Sequence, residues 1–224
     1  MIPDSNGPRS IVLFGVESNF TPEFLETARR TGDAVVAAVI TGELEWDLSG
    51  LPVEPLRAVA ADLLPIPVAI PWVTPGLRFA RWRHALDIGF SRQAGLVDPS
   101  AVIASSVRLG EGIYINAGAT IGADAHLDDG VLVNRNASVG HHARLERYVS
   151  LGPAVTICSE CHIGKGAMIG AGAVVAPKIQ VGDNSVVAVG AVVAKNVPAQ
   201  CVVAGNPARI VRSDIAGYKD VSVD

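Results

Sequence analysis

Every sixth residue of this chain from position 97 to position 193 is Val, Ile or Leu, with no slip in register. The seventeen positions are Val97, Ile103, Leu109, Ile115, Ile121, Leu127, Val133, Val139, Leu145, Leu151, Ile157, Ile163, Ile169, Val175, Val181, Val187 and Val193. Helices repeat their apolar positions every 3.6 residues and strands every 2, so neither explains a period of six. The period indicates a repeat architecture in which each unit stacks on the next.

A parallel β-helix explains the period. Each hexapeptide forms one flat side with its aliphatic residue inward, three sides close a triangular coil, and successive coils stack about 4.8 Å apart. The residue two positions before each aliphatic is small or β-branched, which predicts a second inward column. That column contains Ala101, Val107, Ile113, Ala119, Ala125, Val131, Ala137, Ala143, Val149, Val155, Cys161, Ala167, Ala173, Ile179, Ser185, Ala191 and Val197. The residue after each aliphatic is often Gly, which we attribute to the backbone freedom that a corner needs.

The segment before the repeat predicts a small parallel α/β domain. Short apolar runs at 11–15, 34–40 and 68–70 are typical of buried strands, and the segments 21–31, 56–64 and 75–89 of helices. The predicted architecture is a degenerate Rossmann-like domain at 1–90, a β-helix at 91–211 and a tail at 212–224. A ligand of such a domain binds at the end of the first strand, here residues 15–19. One glycine and Glu17 make that loop a weak phosphate site, so acceptor binding and a purely structural loop both stay open.

Composition excludes several partners. The 18 basic and 22 acidic residues give a net charge of −4, which does not favour nucleic acid as a partner. The chain does not open with a signal-peptide pattern, and its apolar runs are too short for a membrane span. We therefore expect a cytoplasmic protein with no membrane partner.

Two patterns that resemble metal-binding motifs are better explained by their positions in the repeat. Residues 158–162 spell CSECH, the c-type haem attachment motif, but Cys161 falls in the small inward column and Cys158 at a corner. His126 and His162 stand two coils apart in an outward column, a separation similar to that of the zinc histidines of γ-class carbonic anhydrases. The third histidine of that class would fall at Ala167, which cannot bind metal. We therefore expect that the two cysteines pack in the β-helix, that the two histidines belong to a polar face, and that the protein binds no metal.

His141 and His142 are the best candidates for chemistry. They follow Gly140 at a predicted corner, and histidine suits general-base catalysis because its pKa is ordinarily near neutrality. Ser159 lies one coil onward, where its backbone N–H could stabilise a developing oxyanion beside His141. Base and donor on adjacent coils predict an acyl-transfer site, and two surface histidines at a turn are the alternative.

Four segments resemble the hexapeptide-repeat acyltransferases of the sialic-acid O-acetyltransferase and sugar-nucleotide N-acetyltransferase type. They are NRNASVGHH (134–142), GPAVTI (152–157), IGKGAMIGAGAVV (163–175) and VAGNPAR (203–209). The resemblance implies a left-handed β-helix homotrimer, with acetyl-CoA as cosubstrate between neighbouring β-helices. It also implies a small-molecule acceptor held by the N-terminal domain, and transfer to an amino group. O-acetylation of a sugar and a non-catalytic β-helix scaffold are the alternatives.

The same resemblance assigns roles to residues. His141 would be the base, assisted by His142, and Asn134 would lie near the acceptor with Glu17, Ser18 and Asn19. The implied cofactor contacts are Ser150 at the thioester end, Ser159 at its carbonyl, Ala171 and Val189 along the pantetheine arm, and Lys178, Lys195 and Arg209 at the phosphates. Arg78 matches a basic residue of the acceptor region.

The sequence departs from the family at two places. His142 replaces the Asp or Glu that follows the catalytic histidine, and we consider Glu146 or Glu17 as substitutes for that acid. The glycine-rich loop after the first strand, an Asp pair after the second and a glycine after the third are also missing. These three losses in one pocket argue against an ordinary UDP-sugar as acceptor.

Overall fold

The structure is a computed structural model that describes residues 8–44, 48 and 50–224. Its repeat half is the predicted left-handed parallel β-helix, with three short strands in each coil. Face I contains Leu96–Val97, Tyr114–Ile115, Leu132–Val133, Ser150–Leu151, Met168–Ile169, Val186–Val187 and Val202–Ala204. Face II contains Val102–Ile103, Thr120–Ile121, Ser138–Val139, Thr156–Ile157, Val174–Val175 and Val192–Val193. Face III contains Arg108–Leu109, His126–Leu127, Arg144–Leu145, His162–Ile163 and Gln180–Val181.

Three edges join the faces. In one coil, edge I–II contains residues 134–137, edge II–III residues 140–143 and edge III–I residues 146–149. Each strand pairs in parallel with the residue 18 positions away, so His126 lies beside Arg144 and Arg144 beside His162. The predicted 18-residue coil is confirmed.

The interior of the β-helix contains the two predicted columns. From Ile115 to Val193 every sixth aliphatic residue is at most 3% exposed, whereas Val97, Ile103 and Leu109 of the first coil are only partly buried. Cys161 is 1% exposed with its Sγ 3.1 Å from the carbonyl oxygen of Ala176, and Cys158 packs against the same core. Both cysteines are packing residues, as the repeat predicts.

The prediction that the corner glycines supply backbone freedom is wrong. The glycine after each aliphatic does not have a positive φ; the left-handed residue is two positions further on, as at Gly172 (φ 66°). Side chains occupy that position in several coils, as at Ala154 (φ 55°). Gly170 is needed for space instead, because a Cβ there would lie 2.6 Å from the Val189 nitrogen of the next coil.

The N-terminal domain is a four-stranded parallel sheet with two helices. Along the chain it contains β1 (Ser10–Phe14), α1 (Thr21–Thr31), β2 (Ala34–Ile40), β3 (Val53–Pro55), β4 (Val68–Ala69) and α2 (Pro75–Asp87), with the sheet order β3-β2-β1-β4. The strand β3 is additional to the prediction. The helix expected over 56–64 is instead two 3₁₀ turns, Leu56–Ala58 and Ala61–Leu63, because Val59 and Ala60 between them are extended.

The domain packs on face I. Tyr114 of that face stacks on Phe24 of α1 with 4.0 Å between ring centroids, and its hydroxyl lies 2.9 Å from Thr27 Oγ1. Leu96 and Leu132 of the same face are fully buried in the shared core. Face I is therefore covered by the chain's own N-terminal domain, whereas no described residue of that domain covers face II or face III.

The last residues return to the N-terminal domain. After the antiparallel strand Arg209–Arg212 the chain forms a 3₁₀ turn at Tyr218–Asp220. It passes so close to α2 that a Cβ on Gly76 would lie 2.5 Å from the Val221 carbonyl oxygen. In the described part of the chain, neither helix combines the length and apolar character of a membrane span.

Candidate active site

The two adjacent histidines lie on edge II–III with exposed side chains. His142 has a left-handed backbone (φ 57°), and the Nδ1 atoms of His141 and His142 are 2.9 Å apart with the rings nearly perpendicular at 88°. That distance is a hydrogen bond, so one Nδ1 carries a proton and the other accepts it.

Ser159 lies one coil above His141 on the same edge. A Cβ on Gly140 would lie 2.6 Å from the Ser159 nitrogen, so the glycine leaves that backbone uncovered. Within the described residues, the Ser159 N–H donates to no acceptor. The edge therefore presents an imidazole and an unused backbone donor on neighbouring coils, as the sequence predicts.

Neither predicted substitute acid reaches His141. Glu146 Oε1 is 2.6 Å from His162 Nε2 on face III. The Glu17 carboxylate is bonded within the N-terminal domain, to the Thr41 hydroxyl and to Arg81 at 3.2 Å. Among the described acidic residues, Asp124 is the one that pairs with either histidine, with its Oδ2 3.7 Å from His142 Nε2. The spacing could have identified it, because Asp124 precedes His142 by one coil.

The residues expected to contact the cofactor lie on two different edges. Ser159, Lys178 and Lys195 are on edge II–III with His141, and the two lysines are exposed. Ala171 and Val189 lie on edge I–II, where Val189 is 75% exposed. The backbone N–H groups of Ala171 and Val189 also donate to no acceptor among the described residues. Arg209 is exposed on the last strand.

Ser150 does not lie where a cofactor could touch it. Its side chain is fully buried on face I, where the hydroxyl donates to the Val73 carbonyl oxygen at 2.6 Å and accepts from Arg78 at 2.9 Å. The prediction that it contacts the thioester end is wrong for this fold, because the N-terminal domain covers it.

Arg78 is a structural link between the domains, not an exposed acceptor contact. It is 2% exposed and donates to the carbonyl oxygens of Gly130 (2.9 Å) and Tyr148 (3.1 Å) in the β-helix and to Val73 (3.1 Å) in its own domain. Burial lowers the pKa of Arg78 to about 9, so the guanidinium is charged at neutral pH. No carboxylate contacts it among the described ion pairs, and carbonyl dipoles balance its charge.

Asn134 supports edge I–II. It is 4% exposed, and its Oδ1 accepts from the Arg135 N–H at 2.8 Å and from Asn116 Nδ2 at 3.2 Å. Glu23 of α1 binds both Asn116 and Arg135, at 3.2 and 2.7 Å. The structure therefore separates Asn134 from His141 by the width of face II.

The loop after β1 lines a cleft of about 400 Å³. Its walls are Glu17, Ser18, Asn19, Trp72, Val73, Thr74, Tyr218 and Lys219. Trp72 Nε1 donates to the Gly15 carbonyl oxygen at 2.6 Å, and Ser18 is mostly buried while Asn19 is exposed. Tyr218 and Lys219 come from the tail, and no sequence spacing relates them to the loop.

Face III does not assemble a metal site. His126 lies 3.1 Å from Asp128, and His162 is bonded to Glu146. Among residues 8–44, 48 and 50–224, no three His, Cys, Asp or Glu side chains are grouped as metal ligands would be.

Comparison with known proteins identifies the family. A family profile described as bacterial transferase hexapeptide (six repeats) matches residues 160–195. A variant of perosamine N-acetyltransferase from Caulobacter crescentus, solved with CoA and GDP-perosamine, is 30% identical. The alignment covers 92% of this chain and 97% of that one, with a TM-score of 0.80. A search of curated proteins finds no match.

Two further structures share the architecture. The acetyltransferase domain of PglB from Neisseria gonorrhoeae, solved with acetyl coenzyme A, is 25% identical over 92% of this chain and 100% of that one, with a TM-score of 0.81. WeeI from Acinetobacter baumannii has the same fold at 24% identity, with 91% and 99% coverage and a TM-score of 0.79. The chain belongs to the hexapeptide-repeat acyltransferases.

Proposed function

We propose that the chain transfers an acetyl group from acetyl-CoA to an amino group of a sugar nucleotide or a related small molecule, with His141 as general base. The observation that carries the proposal is the exposed imidazole beside the unused Ser159 N–H on edge II–III. Similarity to a perosamine N-acetyltransferase solved with CoA and GDP-perosamine supports the substrate class. Acetyl-CoA supplies the acetyl group as an activated thioester.

The residues divide the chemistry between them. His141 takes the proton of the attacking amine. General-base catalysis of this kind contributes about 10²–10⁴-fold to the rate. The Ser159 N–H stabilises negative charge that develops on the acyl oxygen, at no cost of reorganisation. The unpartnered amides of Ala171 and Val189 suit the pantetheine amides, and Lys178 and Lys195 suit phosphates.

Two features of the geometry support a site that is shared between copies of the chain. The cleft belongs to the domain that covers face I, whereas His141 lies on edge II–III, away from that face. Ala171 and His141 are likewise separated by face II within one chain. We infer that edge II–III of one subunit meets edge I–II of another, so that the cofactor lies between two β-helices.

Face II suits the contact between copies. Its outward side chains are small and uncharged: Val102, Thr120, Ser138, Thr156, Val174 and Val192. Face III carries arginines and histidines at the equivalent positions. Three triangular β-helices that meet through such an uncharged face would form a closed trimer. This supports the homotrimer that the family resemblance implies.

The cleft is suited to a small acceptor. Its volume lies within the range of about 300–1,000 Å³ found for small-molecule sites. Trp72 and Tyr218 offer aromatic surface, and Arg81 neutralises Glu17 at 3.2 Å, which removes the repulsion that this carboxylate would exert on a phosphate.

The test is thiol release from acetyl-CoA with a panel of amino sugars, amino-sugar nucleotides and hydroxyl analogues. We expect turnover with an amine acceptor and a loss of at least about 100-fold in His141→Ala, with the trimer retained. His162→Ala, an exposed histidine on face III, is the matched control and should keep normal turnover. Normal turnover by His141→Ala would remove His141 from the mechanism.

The alternatives have distinct outcomes in the same experiments. Turnover only with hydroxyl acceptors would make the protein an O-acetyltransferase. No heat of binding with acetyl-CoA in calorimetry would leave a scaffold role in place of catalysis.

A further inference from the structure

Asp124 and His142 occupy equivalent left-handed positions on successive coils of edge II–III. Their φ angles are 56° and 57°, and the Asp124 N–H is held by Ser106 Oγ at 2.9 Å one coil below. The same left-handed position recurs on the next two coils of this edge, at Glu160 (φ 59°) and Lys178 (φ 64°), so the repeat sets the backbone of both residues. Because both residues have the same backbone geometry, the Asp124 carboxylate faces the ring above it.

Asp124 contacts His142, and His142 in turn contacts His141. Asp124 Oδ2 is 3.7 Å from His142 Nε2, and His142 Nδ1 is 2.9 Å from His141 Nδ1. Arg108, His126 and Arg144 line the same groove, but among the described ion pairs Asp124 is paired with His142 alone. The carboxylate therefore acts on His141 only through the intervening ring.

We propose that Asp124 and His142 are positioning residues that fix the tautomer of His141. A carboxylate beside His142 Nε2 favours a proton on that nitrogen, which leaves the Nδ1 of a neutral His142 as an acceptor. His141 must then donate from its own Nδ1, and its Nε2 keeps a free lone pair. The inference deepens the proposed function, on which it rests, because a base needs that lone pair.

The same arrangement can hold the proton during transfer. The acceptor's proton moves to His141 Nε2 while the proton on His141 Nδ1 moves to His142 Nδ1, and the resulting imidazolium lies beside the Asp124 carboxylate. As the acceptor N–C bond forms and the thioester C–S bond breaks, the proton returns through His141 to the departing sulfur. One proton leaves the amine and one reaches the thiol, so the step balances.

Steady-state kinetics test whether Asp124 acts on His141 through His142. We expect Asp124→Asn to lower kcat about 3–5-fold with KM for acetyl-CoA unchanged, a small effect because both side chains of the ion pair are more than half exposed. His142→Asp puts a carboxylate directly beside His141 and removes the intervening ring, so adding Asp124→Asn should leave kcat at the value of the His142→Asp single variant. Asp128→Asn is the matched control, because Asp128 pairs with His126 on face III and should not affect turnover.

An equal effect of Asp124→Asn in the wild-type and His142→Asp backgrounds would overturn the relay. Nitrogen-15 NMR of the histidine-labelled full chain provides a readout without substrate, with His141→Ala to assign the signals. We expect a protonated Nδ1 and an unprotonated Nε2 on His141, and a mixture of tautomers in Asp124→Asn. A His141 protonated at Nε2 in the wild type refutes the inference even if the enzyme transfers acetyl groups. Absence of turnover with the expected tautomer would refute the proposed function alone.

Discussion

Two glycines of one corner should lose different amounts of stability, for different reasons, when each is replaced by alanine. At Gly170 the backbone is ordinary but space is missing: a Cβ would lie 2.6 Å from the Val189 nitrogen and 2.8 Å from the Val187 carbonyl oxygen. At Gly172 the backbone is left-handed (φ 66°) but nothing lies within 4 Å of an added Cβ. Alanine at each position therefore separates the cost of crowding from the cost of conformation.

The magnitudes follow from these contacts. Relieving the contact at Gly170 to about 3.4 Å needs the coils to part by about 0.8 Å, which stretches the 2.7 Å hydrogen bond from Gly170 N–H to Val187 beyond bonding range. An unsatisfied buried group and local overpacking together cost about 3 kcal/mol. Gly172→Ala costs about 1 kcal/mol, and Ala154 already occupies the same position one coil earlier at φ 55°.

Thermal unfolding at fixed protein concentration measures both variants. For a chain of this size about 1 kcal/mol shifts Tm by about 2–4 °C, so we expect Gly170→Ala to lose about 6–12 °C and Gly172→Ala about 2–4 °C. Hydrogen exchange should locate the loss in the coils that contain Gly170 and Val187. A Gly172→Ala variant less stable than Gly170→Ala would refute the argument that coil spacing, not φ, selects the glycine after each aliphatic.

Three further predictions concern the domain contact, the assembly and the cleft. Arg78→Met should lower Tm by about 6–12 °C, because it leaves buried carbonyl oxygens without donors, and a Tm within 2 °C of wild type would contradict its role as a structural link between the domains. Thr156→Arg on face II should convert the proposed trimer to monomers and abolish turnover, whereas Gln180→Arg on face III should leave both the assembly and turnover unchanged, as light scattering and the thiol assay would show. Lys219→Ala should raise the acceptor KM about 5–10-fold with kcat unaltered, and a change in kcat alone would place Lys219 outside the acceptor site.

The β-helix could be predicted almost completely because its period turns sequence spacing into distance. A separation of 18 residues places two side chains on neighbouring strands, which is why Ser159 could be set above His141 and Cys161 in the core. The left-handed column was missed because glycine occupies only six of its positions, and residues as different as Asp124, Tyr148 and Lys178 adopt positive φ at others. Stacking of the coils imposes that conformation on whatever residue occupies the position.

The N-terminal domain was harder because its short elements have no such spacing. The strand β3 has three residues, one of them Pro55, and gains its place by pairing with the edge of β2. The cleft combines the loop after β1 with Tyr218 and Lys219, two hundred residues away. Contacts between a loop and a distant tail depend on packing alone, so the sequence contains no periodic signal for them.

The missing acid beside His141 shows how the period bears on function as well as on fold. In most folds, when the Asp or Glu after a catalytic histidine is lost, sequence spacing does not indicate which other acid lies close to that histidine. In a β-helix the residue one coil away is also a neighbour, and Asp124 stands there at 3.7 Å from the substituted His142. Loss of that acid would by itself favour the alternative of a non-catalytic scaffold. Since a carboxylate lies one ring away from His141, the substitution at 142 is not evidence against catalysis.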